Sequence, residues 1–546
     1  MHAESVSETK EGQMTADRDK AALGRVLWRK VCFNIDGMAL GATICALAEK
    51  GILAELAGTA EPLSVDGLAT RYGARRGFLH LAVWLLASQG LVKRSGGGET
   101  ARASLSEEGR AWLPFLAAYD GFPGLLTAAM ALLAGNADED ACELWETALH
   151  RLSASLPGAG ETMGERVRLH VTGPLVAVAL RRLTGNDTQN KGVLPQPCWR
   201  ALAAQGWAEE GAEGFIFSGE GEMALDMAAQ YFMPLSYLPT FSRVPEMLFG
   251  DMPPILERDA SGSERHLDRA LDIEASGAVF TRVCAGPFLE LALPLFDREE
   301  LAAQPGYVID TGCGNGTLLK ELFHAIASRT RRGKALSEFP LVMVGTEYNP
   351  VASQTTRAAL EAEGIPHLVV AGDVGDPDGL GKTLAGHGID ARQALHVGKS
   401  VIHNRRYQAP RDATAVRQRE PGPPGVFVDE EGGLIEPGDM AQNLVEHFRA
   451  WLPWTRRHGM LVIEAHTVAP ELAAARVGNH PMAYLDASHG FSCQYLMEAG
   501  PYRDLAREAG FIALSSHDFI TGLVGRPLLS LDYFMPADVF GLEGLL

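Results

Sequence analysis

The spacing of apolar residues changes near residue 280 and divides the chain into two parts. Between residues 21 and 270, apolar residues recur every three or four positions, which predicts amphipathic helices. After residue 280, short apolar runs alternate with helical segments. These runs are 307–309, 341–344, 367–370, 394–397, 460–463 and 511–514. Such alternation is typical of a mostly parallel sheet, so we expect an α/β, Rossmann-like domain over 280–546.

The helical part contains a weak internal repeat. Residues 34–38 (NIDGM) resemble 170–174 (HVTGP), and 86–90 (LASQG) resemble 202–206 (LAAQG). Helices followed by a glycine-rich hairpin are the layout of a winged helix. We therefore interpret 21–270 as a mostly α-helical lid with two degenerate winged-helix-like units. Two unrelated helices rich in alanine and leucine would give the same pattern.

Composition and charge restrict the class of protein. The 546 residues are 46% hydrophobic and 21% charged, as in an ordinary globular chain of about three domains. The formal charge of -20 repels phosphate backbones and anionic lipid, so neither nucleic acid nor a membrane is an expected partner. Seven scattered cysteines without a CxxC pair predict a cytoplasmic location. Residues 1–20 are charged and polar and are predicted to form a disordered tail.

A glycine-rich loop follows the first apolar run of the α/β part. Residues 308–319 read VIDTGCGNGTLL, with Asp310 at the end of a predicted strand and a predicted helix after the loop. Gly312 and Gly314 allow a tight turn and the close approach of a ligand, and the helix offers free N–H groups. A carboxylate at this place disfavours a pyrophosphate and favours a cationic sulfonium ligand with a free amino group.

Two further acids end the next two predicted strands. Glu347 could accept both hydroxyl groups of a ribose, and Asp373 could accept an adenine amino group. Three acids at three successive strand ends, with glycines in the matching places, resemble the class I S-adenosylmethionine (SAM) methyltransferases. The resemblance implies SAM as the cofactor, bound by Asp310, Gly312, Gly314, Glu347 and Asp373.

Histidines are concentrated beside this predicted cofactor site. Half of the 16 histidines lie within 396–517, mainly in segments that follow predicted strands and should face the SAM pocket. His466, His489 and Gln494 would give a divalent metal such as iron or manganese two imidazole nitrogens and one oxygen, with positions left open. A metal of this kind could chelate a dicarbonyl compound and stabilise the enolate that attacks the sulfonium methyl group.

The same segments resemble the metal-dependent C-methyltransferases of polyketide starter modules, of the apratoxin-synthase type. The resemblance covers about residues 25–540 and rests on four segments: 310–316 (DTGCGNG), 399–405 (KSVIHNR), 464–466 (EAH) and 489–494 (HGFSCQ). It implies a mononuclear metal on the three ligands named above and methylation of the α-carbon of a malonyl-type group on an acyl carrier protein. It also implies that His403, Asn404 and Arg405 line the substrate cavity, with His403 and Arg405 as the catalytic candidates.

The sequence thus predicts a SAM-dependent C-methyltransferase of secondary-metabolite biosynthesis that enolises a carboxylated or dicarbonyl substrate with a divalent metal, assisted by His403 as a base. The substrate would be a free small acid or a malonyl-type thioester on a carrier protein acting in trans. One alternative is a metal-independent O- or N-methyltransferase with His403 or His466 as general base. Another is a non-catalytic SAM-binding regulator. The sequence leaves open the substrate, the number of methyl groups, the metal and whether the protein is a homo-oligomer.

Overall fold

Helices form most of the protein up to residue 296. The computed structural model describes residues 2–135, 139–156, 162–184, 194–212, 214–251, 255–258, 264–419 and 422–541, with side chains from residue 20 onward except at 162. The helices of this part are α1 (His2–Glu49), α2 (Ile52–Ala57), α3 (Val65–Tyr72), α4 (Arg76–Ser88), α5 (Glu107–Trp112), α6 (Phe122–Leu133), α7 (Glu139–Ser155), α8 (Thr162–Thr184), α9 (Gln196–Ala204), α10 (Gly219–Asp226), α11 (Phe232–Ser236), α12 (Leu238–Ser242), α13 (Val244–Phe249), α14 (Arg269–Val279) and α15 (Ala285–Ala292). Its strands are β1 (Leu63–Ser64), β2 (Val92–Ser95), β3 (Arg102–Leu105), β4 (Ala208–Gly211) and β5 (Gly214–Phe217). Residues 2–20, predicted as a disordered tail, are the beginning of α1.

The two longest helices of this part, α1 and α8, cross at a pair of glycines. A Cβ atom on Gly37 would overlap the backbone of His170, and a Cβ atom on Gly173 would overlap the backbone of Asn34. Only glycine therefore permits this close approach of the two helices. Both glycines lie in the segments that the internal repeat matches to each other.

Other matched residues also occupy equivalent places. Gln89 donates from Nε2 to Asp36 Oδ2 at 3.0 Å, and Gln205 donates from Nε2 to Thr172 Oγ1 at 2.8 Å. An antiparallel hairpin follows each glutamine, β2 with β3 and β4 with β5. We call residues 34–109 the first unit and residues 170–221 the second unit. The first unit has a three-stranded sheet in the order β1-β3-β2, whereas the second has two strands.

The second half contains a seven-stranded sheet. Its strands are β6 (Tyr307–Thr311), β7 (Val342–Thr346), β8 (His367–Val370), β9 (Ala394–Lys399), β12 (Met460–Ala465), β13 (Phe511–Phe519) and β14 (Leu529–Pro536). A separate hairpin of β10 (Phe427–Val428) and β11 (Leu434–Ile435) lies between β9 and β12 in the chain. Its order is β13-β14-β12-β9-β6-β7-β8, with parallel pairing from β12 through β8 and antiparallel β14. This arrangement confirms the predicted α/β, Rossmann-like fold with a mostly helical N-terminal region.

Helices cover both faces of this sheet. They are α16 (Thr317–Arg329), α17 (Arg331–Lys334), α18 (Pro350–Ala362), α19 (Pro377–Gly386), α20 (Ala413–Arg417), α21 (Pro437–Thr455), α22 (Pro470–Ala474), α23 (Met482–Gly490), α24 (Ala499–Ala509) and α25 (Thr521–Val524). One core packs Phe448 and Trp451 of α21 against the sheet, and the other packs Phe280 and Phe288 against it from the opposite side. The strands of the centre are therefore buried on both faces, as a parallel sheet requires.

The sequence analysis did not identify β14. Ser530 and Asp532 interrupt its apolar pattern, although both are fully buried. Ser530 Oγ donates to Asp532 Oδ2 at 2.8 Å, and Asp532 also accepts from Arg503 at 2.8 Å. Hydrogen bonds between these polar groups make their burial possible, and a hydrophobic pattern alone cannot reveal them.

Among the residues that the structure describes, two helical stretches are long and apolar enough to cross a membrane by length and composition. They are Lys20–Glu49, whose most apolar window is 94% buried in the protein, and Arg269–Phe296, whose window is 39% buried. A bent pair, Glu107–Tyr119 with Phe122–Leu133, meets the same criteria when taken as one span. The first of these stretches is the part of α1 that packs against α8, so its apolar surface is used inside the protein.

Candidate active site

The glycine-rich loop joins β6 to α16 at the carboxyl edge of the sheet. Gly312, Gly314 and Gly316 have φ angles of 74°, 57° and 76°, in the left-handed region that favours glycine. The N–H of Gly312 donates to Thr346 O at 2.9 Å and so ties the loop to the end of β7. The loop therefore presents its backbone and the first turn of α16 to one cavity.

Asp310 lies at the floor of that cavity with an unsatisfied carboxylate. Its side chain is 2% exposed, and Oδ1 is a buried atom without a hydrogen-bond partner among the described residues. Burial, followed by the like charge of Glu347, raises the pKa of Asp310 well above its usual value, while Lys399 acts in the opposite direction. A bound cation or amino group would supply the missing partner and stabilise the charged form.

Glu347 and Asp373 follow β7 and β8, as predicted, but their surroundings differ. Glu347 lines two adjoining cavities, and its Oε1 accepts from the N–H groups of Tyr348 at 2.9 Å and Asn349 at 3.1 Å. Asp373 is exposed at the rim of the second cavity and accepts from Gly375 N at 2.7 Å. Four of the five predicted cofactor residues thus border the first cavity: Asp310, Gly312, Gly314 and Glu347. Gly312 and Glu347 also line the second cavity, where Asp373 lies.

Helix α14 covers the loop from the other side, although the sequence analysis ended the lid at residue 270 and began the catalytic domain at 280. A Cβ atom on Gly277 would overlap Asn315, so α14 packs closely on the glycine loop. Ser276 accepts a hydrogen bond of 2.7 Å from Lys399 Nζ, and both residues line the first cavity. The run of small residues 275–278 was the signal for this contact.

His403 lies in the loop after β9 and is oriented by a carboxylate. Its Nδ1 contacts Glu464 Oε1, and Glu464 Oε2 also accepts from Ile402 N at 3.0 Å. Burial raises the pKa of Glu464, but the charge and hydrogen bond of His403 outweigh it and hold that pKa below its usual value. His403 lines the cavity, and a neutral ring that donates Nδ1–H to this carboxylate keeps the lone pair of Nε2 for another group. The sequence analysis gave Glu464 no role; an acid at the end of a strand was the available signal.

His489 lies beside His403, with their ring centroids 4.9 Å apart. Its Nδ1 donates to Leu485 O at 2.7 Å, one turn earlier in α23. Burial, and then the proximity of His403, lowers the pKa of His489 to about 3, so the ring is neutral. The backbone N–H of Gln494 donates to His489 O at 2.9 Å, which holds Gln494 close to His489. His403, His489 and Gln494 all line the first cavity together with the glycine loop.

His466, predicted as a metal ligand, is placed elsewhere. It is fully buried, with Nδ1 at 3.0 Å from Met497 O and Nε2 at 2.8 Å from Ser530 Oγ. Because both ring nitrogens are engaged by the protein, neither is free to bind a metal or a substrate. His466 belongs to the buried polar network of β14, and His403 takes the place predicted for it beside His489.

Arg405, a predicted catalytic residue, points away from the first cavity. Its Nε donates to Asn443 Oδ1 on α21 at 2.9 Å and its Nη1 to Ile402 O at 2.9 Å. It lines a separate cavity with Asn443 and His447, whereas Asn404 lines the first cavity as predicted. Arg405 thus fixes the turn that carries His403 and does not line the first cavity.

Within the described parts of the chain, no group of three or more His, Cys, Asp or Glu side chains is placed to hold a metal ion. The donor set in the cavity consists of two imidazoles and one amide oxygen, which is the chemistry predicted for a mononuclear site. Each imidazole uses Nδ1 in a hydrogen bond to a carboxylate or carbonyl oxygen, as metal-bound histidines commonly do. His403, His489 and Gln494 therefore fit a divalent metal in donor type.

Comparisons with known proteins were made by sequence and by structure. The family model of the AprA MT2-like domain matches residues 264–521, and that of the AprA N-terminal domain matches residues 29–94. No curated protein matches the chain. Among solved structures, an O-methyltransferase family 2 protein from Planctomyces limnophilus in complex with apigenin has 11% identity and a TM-score of 0.37, covering 94% of this chain and 95% of its own.

Two other solved methyltransferases are similar at the same level. The CurJ carbon methyltransferase has 10% identity and a TM-score of 0.31, covering 72% of this chain and 97% of its own. Human N-acetylserotonin methyltransferase in complex with SAM has 13% identity and a TM-score of 0.25, covering 91% and 94%. The assignment rests on the two AprA matches, which together span more than half of the chain and both parts of the fold. The protein is a SAM-dependent methyltransferase that resembles the apratoxin-synthase (AprA) type.

Proposed function

We propose that this methyltransferase methylates the α-carbon of a carboxylated or dicarbonyl acyl substrate, and that His403, His489 and Gln494 hold a divalent metal at the acceptor end of its cavity. The observation that carries the proposal is the meeting of these three side chains in the cavity that also contains the glycine loop and Asp310. A free small acid and a malonyl-type thioester on a carrier protein share the required 1,3-dicarbonyl chemistry.

The other end of the cavity suits the cofactor. The unsatisfied Oδ1 of Asp310 offers an acceptor to a cationic amino-acid group, and Glu347 offers one to ribose hydroxyls in the adjoining cavity. Lys399 contacts Ser276 but forms no ion pair within the described residues, so it can neutralise a carboxylate of the cofactor. When bound, SAM supplies an electrophilic methyl group on a sulfonium sulfur.

The acceptor end explains why two histidines lie side by side. A divalent metal on their Nε2 atoms and the Gln494 oxygen would act as a Lewis acid on the carbonyl oxygens of a chelating acceptor, which lowers the pKa of the α C–H group. Glu464 fixes the His403 ring, and Leu485 O fixes the His489 ring, so both imidazoles are oriented before a ligand arrives. In the overall reaction a C–C bond forms, the sulfonium C–S bond breaks and one proton is released.

The contact between His403 and Glu464 also favours a second candidate, a metal-independent O- or N-methyltransferase. A carboxylate that holds Nδ1–H leaves Nε2 as a proton acceptor, as in the orienting pair of other histidine bases. In that case His403 would take a proton from a hydroxyl or amine, and His489 would only shape the cavity.

Metal analysis and methyl-transfer assays distinguish the two. Anaerobically purified protein would be analysed for iron and manganese and then assayed with SAM and a malonyl or methylmalonyl thioester, with and without chelator. The variants are His403→Ala, His489→Ala and Gln494→Ala, with His466→Ala as the matched buried histidine and His387→Ala as the exposed one.

We expect about one metal per chain, lost together with α-carbon methylation in the first three variants. His466→Ala should keep the metal and lose stability, because its two nitrogens bind only protein groups. An active, chelator-resistant, metal-free protein that methylates hydroxyl or amine acceptors would overturn the proposal in favour of the second candidate. A metal retained in His403→Ala but lost in His466→Ala would overturn the ligand assignment.

A further inference from the structure

Helix α23 carries His489 and lines the cavity with Tyr484, Leu485 and Ser488, but its beginning has no cap of its own. The residue before it is Pro481, whose side chain makes no capping hydrogen bond. The first N–H groups of a helix need acceptors from outside the helix. The position of the active-site helix therefore depends on what another part of the protein supplies at its N-terminus.

Asp36 of α1 supplies that acceptor. Its Oδ1 accepts from the N–H of Tyr484 at 2.9 Å, across 448 positions of sequence. Asp36 is fully buried, so water does not compete for this bond. A carboxylate at this end also interacts favourably with the helix dipole.

Gln89 of the first unit and Arg166 of α8 hold the carboxylate in place. Gln89 donates to Asp36 Oδ2 at 3.0 Å, and Gln89 Oε1 accepts from Arg166 Nη2 at 2.6 Å. Arg166 donates from Nη1 to Glu108 at 2.9 Å. Burial raises the pKa of Asp36 to about 7, while Tyr484 N–H, Gln89 and the charge of Arg166 act to lower it. Burying a charged carboxylate costs free energy. If its only task were to accept the hydrogen bond from Gln89, a neutral side chain at position 36 would be sufficient.

The second unit makes the corresponding hydrogen bond without a carboxylate. Thr172 matches Asp36, and Gln205 matches Gln89 and donates to Thr172 Oγ1 at 2.8 Å. The amide contact is thus kept with a neutral hydroxyl, within the same crossing of α1 and α8. What distinguishes Asp36 is its second oxygen, which reaches out of the unit to α23.

We infer that Asp36 is a positioning residue for methyl transfer, through which the N-terminal region fixes the helix that carries His489. The role of His489 rests on the proposed function, whereas the contact between Asp36 and α23 does not. The first unit is accordingly part of the active-site scaffold.

The test compares Asp36→Thr with Thr172→Val in the full-length protein. Asp36→Thr installs the residue that the second unit uses, so contact with Gln89 can persist while the reach to Tyr484 is lost. Thr172→Val removes a buried hydrogen bond of the other unit and has no hydrogen bond to α23 among the described residues. The readouts are amide hydrogen exchange over residues 482–494, SAM affinity by calorimetry, and kcat with the malonyl thioester.

For Asp36→Thr we expect exchange over 482–494 to accelerate about fivefold or more, as for loss of a helix N-cap, and kcat to fall by a similar factor. SAM affinity should stay within about twofold, because the cofactor end is built on β6 to β8. Asp36→Asn, which keeps one acceptor oxygen, should restore part of the protection and serves if Asp36→Thr does not fold. Thr172→Val should leave exchange over 482–494 and kcat unchanged.

Unchanged exchange over 482–494 in both Asp36 variants, or equal acceleration in Thr172→Val, would overturn the inference. If the wild-type protein transfers no methyl group to the malonyl thioester, the proposed function fails, yet the exchange measurement still decides whether Asp36 positions α23. The two failures are therefore distinguishable.

Discussion

The cofactor side and the acceptor side of the cavity are built in different ways. On the cofactor side, Asp310 lies near the end of β6, and Gly312 and Glu347 come directly after β6 and β7. On the acceptor side, His403 and His489 are 86 residues apart in the chain. The His403 ring is oriented by Glu464 at the end of β12, and the His489 ring by Leu485 O one helical turn earlier. The first arrangement is local, and the second exists only after the chain has packed.

This difference has a consequence for mutational sensitivity. A substitution on the cofactor side should change SAM affinity and little else, because each group contacts the cofactor directly and independently. A substitution of a residue that orients His403 or His489 should change kcat. Such a residue touches neither SAM nor the acceptor, so it affects the reaction through the position of the histidine ring. The predictions below test this division, beginning with the largest effect.

Glu464→Gln is expected to lower kcat about 100-fold without weakening SAM binding. The amide cannot accept from His403 Nδ1 as strongly as the carboxylate, so the ring loses its fixed orientation. Steady-state kinetics with calorimetry for SAM provide the measurement. Glu498→Gln is the matched control, since Glu498 also accepts a backbone N–H, that of Ala469 at 2.9 Å, and should change kcat by less than about twofold. An equal loss of kcat in Glu464→Gln and Glu498→Gln would show that Glu464 has no special role in orienting His403.

Asp310→Asn should weaken SAM binding about 10- to 30-fold and leave kcat at saturating SAM within about threefold. Asparagine keeps one acceptor oxygen but loses the negative charge that would face the cationic group of the cofactor at this buried, unpartnered position. Asp373→Asn is the comparison on the same side, and because Asp373 is exposed we expect a loss of less than about fivefold. A larger effect from Asp373→Asn than from Asp310→Asn would contradict the placement of the cofactor.

Lys399→Met should raise the KM for SAM about tenfold, with the KM for the acceptor unchanged. Lys399 donates to Ser276 Oγ at 2.7 Å and lines the same cavity as Asp310, whose pKa its charge acts to lower. Methionine keeps the length and apolar part of the side chain. If instead the KM for the acceptor rises, Lys399 binds an acidic acceptor and belongs to the acceptor side of the cavity.

The smallest expected effect is a fractional proton release when SAM binds. The pKa of Asp310 is raised in the empty cavity, and a cation next to it lowers that pKa, so binding expels the proton that the carboxyl holds. Apparent SAM affinity should therefore increase with pH until Asp310 is ionised in the free protein. Calorimetry in two buffers with different ionisation enthalpies measures the release, which should vanish in Asp310→Asn.

The division also shows how much of the site can be predicted from sequence. The strands, the glycine loop and the three acids are encoded within short segments, and the structure places Asp310 and Glu347 where the pattern indicated. His466 could not be assigned in this way, because its environment is set by Ser530 and Met497, more than 30 residues further along the chain. Asn443 on α21 likewise decides the direction of Arg405. Which nitrogen of a histidine is free depends on such distant partners, and a single sequence does not show them.

The paired glycines at the crossing of α1 and α8 have a consequence for how the N-terminal region can vary. In a dimer of identical chains joined by such a crossing, every substitution would occur on both sides at once. Here the two sides belong to one chain, so both sides can carry a glycine while the neighbouring residues differ, as Asp36 and Thr172 do. Covalent connection of the two units thus allows one unit to make a charged contact to the active site without burying a second, unused charge in the other.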